Sequence, residues 1–284
     1  MRTDLAAALR TAGFTSEGDA PLRQSDLIGR RPLFDLRLAG ERYVLRRYSH
    51  GGLLRWLTGA RFLDPGRPFR ELALAHELTL RGVRTPEVVA ARARRARGGG
   101  WRLDLVTRRI EDALDLAQAL AFFASARSER PTARSTLASA GALVRGLHEC
   151  GFLHADLTPR NLLLERSALE GGEPRWWILD LDRSSIVPDI GAGRRCDNLR
   201  RLFRHVARLA RERSLTLGRA DLLAFLRGYE RDPRARKALW RKIERGHERW
   251  ALPHRAGWWL ERKLAGRRTV PPPPAQTDAR TRRA

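Results

Sequence analysis

Cysteine is scarce: Cys150 and Cys196 are the two among 284 residues. Two cysteines so placed make neither a disulfide framework nor the paired spacing of a metal site. The fold must therefore stand on its own core, and a reducing compartment is expected. Lysine is nearly absent. Of 56 basic residues, all but Lys237, Lys242 and Lys263 are arginines. Long apolar runs are missing as well, and no uncharged stretch is long enough to span a bilayer. The first residues carry Arg2, Asp4 and Arg10 and too short an apolar run for a secretory signal. No internal repeat is evident. These absences exclude an integral membrane segment and leave contact with a membrane from its surface.

What is present is apolar content of 42% and a formal charge of +24. The first suffices for one large domain or two lobes. The second attracts nucleic acid, anionic lipid or phosphorylated small molecules without choosing among them. Residues 1–20 read as a short helix and a loose leader. Leu27 to Leu38 and Glu41 to Tyr48 read as paired strands turning at Ala39-Gly40. Gly29 fits either a phosphate-covering loop or a plain turn. Ser49 to Pro68 is a linker holding Gly51-Gly52 and the segment Leu53-Leu54-Arg55-Trp56-Leu57, which suits a lipid surface or packing on its own domain. Phe69 to Arg81 has helical spacing in Leu72, Leu74, Ala75, Leu78 and Leu80. Val88-Val89 begins a strand, Ala91 to Gly100 reads as an arginine-rich hairpin turn, and Trp101 to Thr107 is the next strand. Arg108 to Glu111 then connects two lobes. The spacing further predicts helices over Leu114–Ser125, Thr136–Cys150, Asn198–Glu212, Leu222–Tyr229 and Arg234–Arg245. Trp240 and Trp250 read as packing anchors. Residues 267–284, with prolines from Pro271 to Pro274, read as a disordered tail. The expected architecture is α+β: a leader (1–20), a small, mostly β lobe with one key helix (21–106), a mostly helical lobe (107–266) and the tail.

The chemistry concentrates at His154-Ala155-Asp156-Leu157-Thr158-Pro159-Arg160-Asn161, followed by the apolar run Leu162-Leu163-Leu164. The run reads as a short buried strand that holds the polar loop before it. A second apolar strand, Trp176-Trp177-Ile178-Leu179, ends in Asp180. Aspartate and asparagine also favour ordinary turns. Two carboxylates and an amide at strand ends, however, are what phosphotransfer from ATP uses. Asp156 receives the acceptor's proton, and Asn161 and Asp180 bind magnesium.

His154-x-Asp156-x-x-x-x-Asn161 resembles the catalytic loop of the protein-kinase-like superfamily, with Leu179-Asp180-Leu181 in place of its metal-binding segment. The continuation Asp182-Arg183 is similar to that of the bacterial lipopolysaccharide-core kinases, closest to the 3-deoxy-D-manno-octulosonic acid (Kdo) kinase group and near the heptose kinases. Val44 to Leu53 with its Gly-Gly loop, Arg70-Glu71, Gly82 to Pro86, and Asn198 to Leu202 carry the same resemblance, over roughly residues 27–210. The resemblance implies a two-lobed protein-kinase-like fold and ATP-dependent phosphorylation of a sugar hydroxyl, the 4-hydroxyl of Kdo, on a lipid-linked saccharide. It implies a protein peripheral on the anionic cytoplasmic face of a Gram-negative inner membrane, without specific nucleic acid. It places Arg46 and Glu71 at the phosphates, Gly29 over them, the backbone near Val106 at the adenine, and Arg47, Gly51, Gly52, Asp182 and Arg183 toward the acceptor. His154 becomes a brace of the loop. Arg46 stands where protein kinases have lysine, and strand alternation lets one of Arg46 and Arg47 face the nucleotide without choosing between them. Alternatives are a heptose or other small-molecule kinase, and a non-catalytic basic binding module on a kinase fold.

Overall fold

The computed structural model describes residues 2–15, 23–27, 33–50, 60–125, 130–215 and 217–244. Gly29, Gly51, Gly52, Leu53 to Leu57, Trp250, Trp258, Trp259 and the 267–284 tail lie outside the described residues. The elements below belong to the unit formed by residues 1–243.

The first half of the chain builds a five-stranded antiparallel sheet from Arg23–Gln24 (β1), Leu33–Leu38 (β2), Glu41–Arg47 (β3), Val88–Arg95 (β4) and Trp101–Arg108 (β5), in the order β1-β2-β3-β5-β4. Ala39 and Gly40 both have positive φ (51° and 85°), the two-residue turn whose twist matches a hairpin. Helix α1 (Ala6–Thr11) covers one face of this sheet. Six residues do not make a stable helix in water. This one is held by Leu5, Leu9 and Phe14, which are buried against Leu36, Leu38, Tyr43, Leu45 and Val106. At about 1.5–3 kcal/mol for each buried side chain, that packing exceeds any local helical preference. The described part of 1–20 is thus a layer of the sheet's core, not a loose leader.

Helix α2 (Arg67–Leu80) follows, with Pro68 in its first turn. Its buried stripe is Glu71, Ala75 and Leu78, one carboxylate in an otherwise apolar row. Strand β4 runs to Arg95, so the expected hairpin turn shrinks to its tip, where the Ala96 N–H donates to Gly100 O at 3.0 Å. The arginines there do not end the strand because they alternate. Arg92 points inward and gives Nε to Asp104 at 3.0 Å. Arg47 gives its Nε to the other oxygen of Asp104 at 2.9 Å. The Arg92 guanidinium also lies over the Phe14 ring at 4.3 Å. Asp104 is fully buried, so both arginines depend on it.

The second half is helical apart from two small sheets, β6-β8-β9 and β7-β10. The elements are Ala113–Asp115 (β6), Leu116–Ser125 (α3), Arg130–Glu149 (α4), Phe152–Leu153 (β7), Leu162–Glu165 (β8), Trp176–Ile178 (β9), Ser185–Ile186 (β10), Ala192–Glu212 (α5), Arg219–Tyr229 (α6) and a last helical stretch, α7, from 233 to 244. The helices α4 and α5 begin six residues earlier than their apolar spacing predicts; in α5 the added residues 192–194 are exposed and carry no apolar period. Leu137, Val144, Leu147, Leu199, Leu202 and Phe225 centre the core, and Trp240 packs on it as expected. Helices α4 and α6 meet backbone to backbone. A Cβ on Gly141 would lie 2.0 Å from Phe225 O, and one on Gly228 would lie 1.7 Å from Ala138 O.

Replacing Asp104 with alanine leaves Arg92 and Arg47 against an uncompensated cavity. We expect the Asp104→Ala protein to lose roughly 3–5 kcal/mol of stability, read by urea denaturation. A loss under about 1 kcal/mol, the range of a surface ion pair, would show the trio to be solvated rather than structural.

Candidate active site

The loop from His154 to Asn161 is fixed by hydrogen bonds whose directions assign the protons. The backbone N–H of Asp156 donates to His154 Nδ1 at 3.0 Å, so that nitrogen carries no proton. Nε2 is then the protonated nitrogen, and it donates to Leu179 O at 2.9 Å. Burial pushes the His154 pKa down, which keeps this neutral form. His154 is a brace between the loop and the end of β9 and has no free nitrogen for acid–base work.

The brace continues backward into the helical core. Asn198, on α5, donates Nδ2 to His154 O at 2.7 Å. Its Oδ1 accepts from His148 Nε2 at 3.2 Å, and His148 Nδ1 accepts from the Tyr229 hydroxyl at 2.7 Å. His148 of α4, Asn198 of α5 and Tyr229 of α6 are thereby satisfied in one direction. Burial pushes His148 down to about 4.

On this frame stand the three groups expected to carry chemistry. Asn161 donates Nδ2 to Asp156 O at 2.8 Å, leaving its Oδ1 for a cation. The Leu179 N–H donates to Asn161 O at 2.9 Å, which sets Asp180 beside Asn161. Asp180 has φ +56°, a left-handed conformation that aspartate tolerates better than most residues. The bend takes its carboxylate out of line with β9 and onto Arg46, whose Nη1 donates to Asp180 Oδ1 at 2.5 Å. An amide oxygen and one carboxylate form an oxygen-only set of the kind that holds magnesium together with substrate phosphates. Among the described residues no group of three or more His, Cys, Asp or Glu could hold a metal alone.

Arg46, not Arg47, faces these groups. Its Nη2 donates to Glu71 at 2.5 Å, and its guanidinium lies 4.7 Å from the centre of the Tyr48 ring. The Tyr48 hydroxyl donates to Glu71 Oε2. Burial disfavours charge on Arg46, but Glu71 and Asp180 more than offset this and hold its pKa above the ordinary value. Burial raises Glu71, while Arg46 and Tyr48 pull the other way. Arg47 lies on the opposite sheet face with Asp104, beside Phe34. The structure does not bring it to Asp180, and its expected place at the acceptor is corrected accordingly.

Val106 is corrected too. It pairs with Leu45 on one side and Ala90 on the other, fully buried in mid-sheet, so its backbone belongs to the ladder. The Arg108 and Arg109 N–H groups are also taken, by Glu87 O and Arg42 O. The chain leaves the sheet after Arg108, at 109–112. Asp182 is held by Arg67, which donates Nε at 2.6 Å and a second nitrogen alongside. With Arg183, Asp182 lines an open cleft of about 790 Å³ flanking α2, with Glu71, Arg67, Arg70 and His50 on its walls.

Asp156 itself accepts from Arg201 Nη1, on α5, at 2.9 Å. Arg201, Asn198, His148 and Tyr48 have no assigned roles in the sequence reading. Two had a local signal: Tyr48 lies two residues after Arg46 on a strand, and Arg201 three after Asn198 on a helix, so each pair shares a face. His148 had none, since its partners are 50 and 81 residues away.

Comparison with known proteins matches residues 29–229 to the Lipopolysaccharide kinase (Kdo/WaaP) family. The chain is 27% identical over 197 residues to the 3-deoxy-D-manno-octulosonic acid kinase of Actinobacillus succinogenes, covering 68% of this chain and 77% of that one. It is 33% identical to the enzyme of the same name from Xanthomonas axonopodis pv. citri, covering 66% and 73%. Among solved structures it is similar to WaaP in complex with acyl carrier protein, with TM-score 0.56 and 21% identity, over 80% of this chain and 89% of that one. This likeness bears on the fold, which is protein-kinase-like.

A histidine lowered from 6.5 to about 4 is neutral in the fold and binds a proton more readily when unfolded. His148 therefore contributes stability that is complete above about pH 6.5 and is lost as pH falls toward 4, on the order of 3 kcal/mol. In denaturation series from pH 7 to pH 4, His148→Gln should be the less stable protein at pH 7 and show a flatter decline. Parallel curves for the two proteins would refute the assignment.

Proposed function

The chain belongs to the Lipopolysaccharide kinase (Kdo/WaaP) family, and on that premise we propose that it is an ATP-dependent kinase of Kdo in the lipopolysaccharide inner core, with the 4-hydroxyl as acceptor. The observation that supports this reading best is the single hydrogen-bonded frame through His154 and Leu179, which sets Asp156, Asn161 and Asp180 together on one wall.

Asp156 orients the sugar hydroxyl and accepts its proton as the oxygen attacks the γ-phosphorus of ATP. The new O–P bond forms, the bond from phosphorus to the β–γ bridging oxygen breaks, and ADP leaves. Arg201 on Oδ1 fixes the rotamer of Asp156 and leaves its second oxygen for the hydroxyl. Asn161 Oδ1 and Asp180 would hold magnesium, which supplies charge neutralisation on the phosphates when bound. Arg46 is the phosphate cation, and Glu71 and Tyr48 aim it. Its other arm lies on Asp180, so the phosphate cation and the metal-binding carboxylate share one place.

The acceptor is lipid-linked, and the protein works from the cytoplasmic side as a peripheral protein on the anionic inner membrane. No described helix is long and apolar enough to cross a membrane. Leu63, on the rim of the cleft, is 94% exposed, and Phe69 is 49% exposed beside Arg70. Apolar side chains among arginines suit an anionic lipid surface.

The test uses labelled ATP and lipid A carrying one or two Kdo residues, with heptosylated core as the comparison. Label should enter the Kdo acceptors. Label in the heptosylated core alone would make this a heptose kinase, and none anywhere would overturn the kinase reading. In Asp156→Asn, transfer should fall by about 10²–10⁴-fold with nucleotide affinity unchanged by calorimetry. A normal rate would remove Asp156 from its role.

A further inference from the structure

The turn after β9 carries two residues in the left-handed conformation, Asp180 at φ +56° and Arg183 at φ +60°. Neither is glycine, and such positions persist only where the surroundings over-determine them. Here they do. The Ser184 N–H closes the turn on Leu181 O at 3.0 Å, and Leu181 is buried in the helical core. The Ala155 N–H, next to Asp156, donates to Ser184 Oγ at 3.0 Å. Two guanidiniums then grip carboxylates two positions apart. Arg46, from β3, holds Asp180. Arg67, in the first turn of α2, holds Asp182, with Nε on Oδ1 at 2.6 Å and Nη2 on Oδ2. Both guanidiniums lie against the Tyr48 ring, at 4.7 and 5.5 Å from its centre, and Arg67 lies 5.0 Å from that of Phe62. Arg67 and Asp182 are 17% and 16% exposed, so solvent screens the pair little. Arg67 stands four residues before Glu71, so one face of α2 holds Arg46 through Glu71 and Asp182 through Arg67.

We infer that Arg67 and Asp182 are a positioning pair for the magnesium site: their two-pronged contact holds the turn in the conformation that sets the Asp180 carboxylate beside Asn161. Both oxygens of Asp182 already accept from Arg67, so Asp182 acts through the turn rather than on magnesium, nucleotide or acceptor. The resemblance directed Asp182 toward the acceptor, and the geometry gives it this different duty. Arg46 also serves the phosphates in the kinase reading. Among the described residues Arg67 donates to this turn alone. Its planar fork suits the task, since two parallel bonds fix the direction of a carboxylate and one point charge does not. The inference rests on the kinase reading above and adds what orients its metal-binding carboxylate.

The experiment compares wild type with Arg67→Gln, Arg67→Lys, Asp182→Asn and the Arg67→Gln/Asp182→Asn double variant. Calorimetry measures binding of a non-hydrolysable ATP analogue in EDTA and in magnesium, and transfer to Kdo-lipid A gives KM for the acceptor. In EDTA all the proteins bind alike. The gain in affinity that magnesium brings falls about 10- to 100-fold in Arg67→Gln and in Asp182→Asn. The double variant is no worse than either, because both changes remove one contact. Arg67→Lys, which keeps the charge and loses the second prong, recovers part of the loss. KM for the acceptor is unchanged. A loss confined to Asp182→Asn, or additive losses in the double variant, would put Asp182 on magnesium itself. A raised acceptor KM with a normal response to magnesium would put it on the acceptor. Either result overturns the pair, as does an equal loss in EDTA and in magnesium, or no change in any variant. If thermal melts show Arg67→Gln and Asp182→Asn unfolded, Arg67→Lys decides, and a wild-type response to magnesium there overturns the pair. A wild-type protein with no magnesium-dependent nucleotide binding overturns the kinase reading as well.

Discussion

One guanidinium joins the parts of the site. Arg46 comes from the sheet, Glu71 from α2 and Asp180 from the turn after β9, and Arg46 touches both of the others. Tyr48 on Glu71 and Arg67 on Asp182 each join two of these elements, and Arg46 joins all three. The pair with Glu71 is nearly dry, and a buried ion pair contributes little net stability once desolvation is counted. Its effect is positional. Tyr48 completes it, with the hydroxyl on Glu71 and the ring against the guanidinium. A lysine would offer one point charge and could satisfy either carboxylate well. An arginine has two separate arms and serves both at once. The departure from the protein-kinase lysine is therefore matched by its surroundings.

The catalytic loop is held by a different kind of bond. The run from Tyr229 through His148 and Asn198 to His154 and Leu179 contains no net charge. Each member donates in one direction, and each histidine is kept neutral by burial. Neutrality suits this place. A charged imidazole between Asp156 and Asp180 would compete with Arg201 and with Arg46 for the same carboxylates. A neutral one fixes the loop and leaves the charges to the reactants. Placing the ionic contacts at the mouth and the neutral ones behind it keeps the frame unchanged when ATP arrives with its own charge.

Local pattern made much of this legible in the sequence. Apolar runs placed β8 and β9, and the polar residues at their ends could then serve only as loop chemistry. Ala39-Gly40 between the two apolar runs gave a hairpin, and the helical spacing gave α2, while the place of Glu71 came from the resemblance and not from the spacing. Contacts between distant residues were out of reach. Arg46 meets Asp180 across 134 positions, and Arg47 meets Asp104 across 57. No local rule chooses which of two adjacent arginines faces a cleft, because alternation fixes their opposition and not their direction. The direction is set by α1, whose six residues looked peripheral but cover the face that Arg47 shares with Asp104. The connection between the sheet and the helical half falls at Arg108 to Glu111 as its sequence suggested, but the expected adenine contact at Val106 does not lie on it. Val106 is an ordinary strand residue with a partner on each side, and the chain stays in the ladder until Arg108.

Net charge describes this protein poorly, because its arginines divide by partner. Arg46, Arg47, Arg67 and Arg92 are consumed inside, on Glu71, Asp180, Asp104 and Asp182, and three of the four place two nitrogens on carboxylates. A single ammonium could not hold Asp182 by two parallel bonds as Arg67 does, nor reach Glu71 and Asp180 with separate arms as Arg46 does. Arginine at these positions is thus a structural requirement, whatever coding bias adds on the surface. Subtracting them removes their acidic partners too, so the positive excess survives and concentrates elsewhere. On α5 an arginine stripe begins at Arg201, the residue that holds Asp156, so part of the excess has a location that composition alone could not give it.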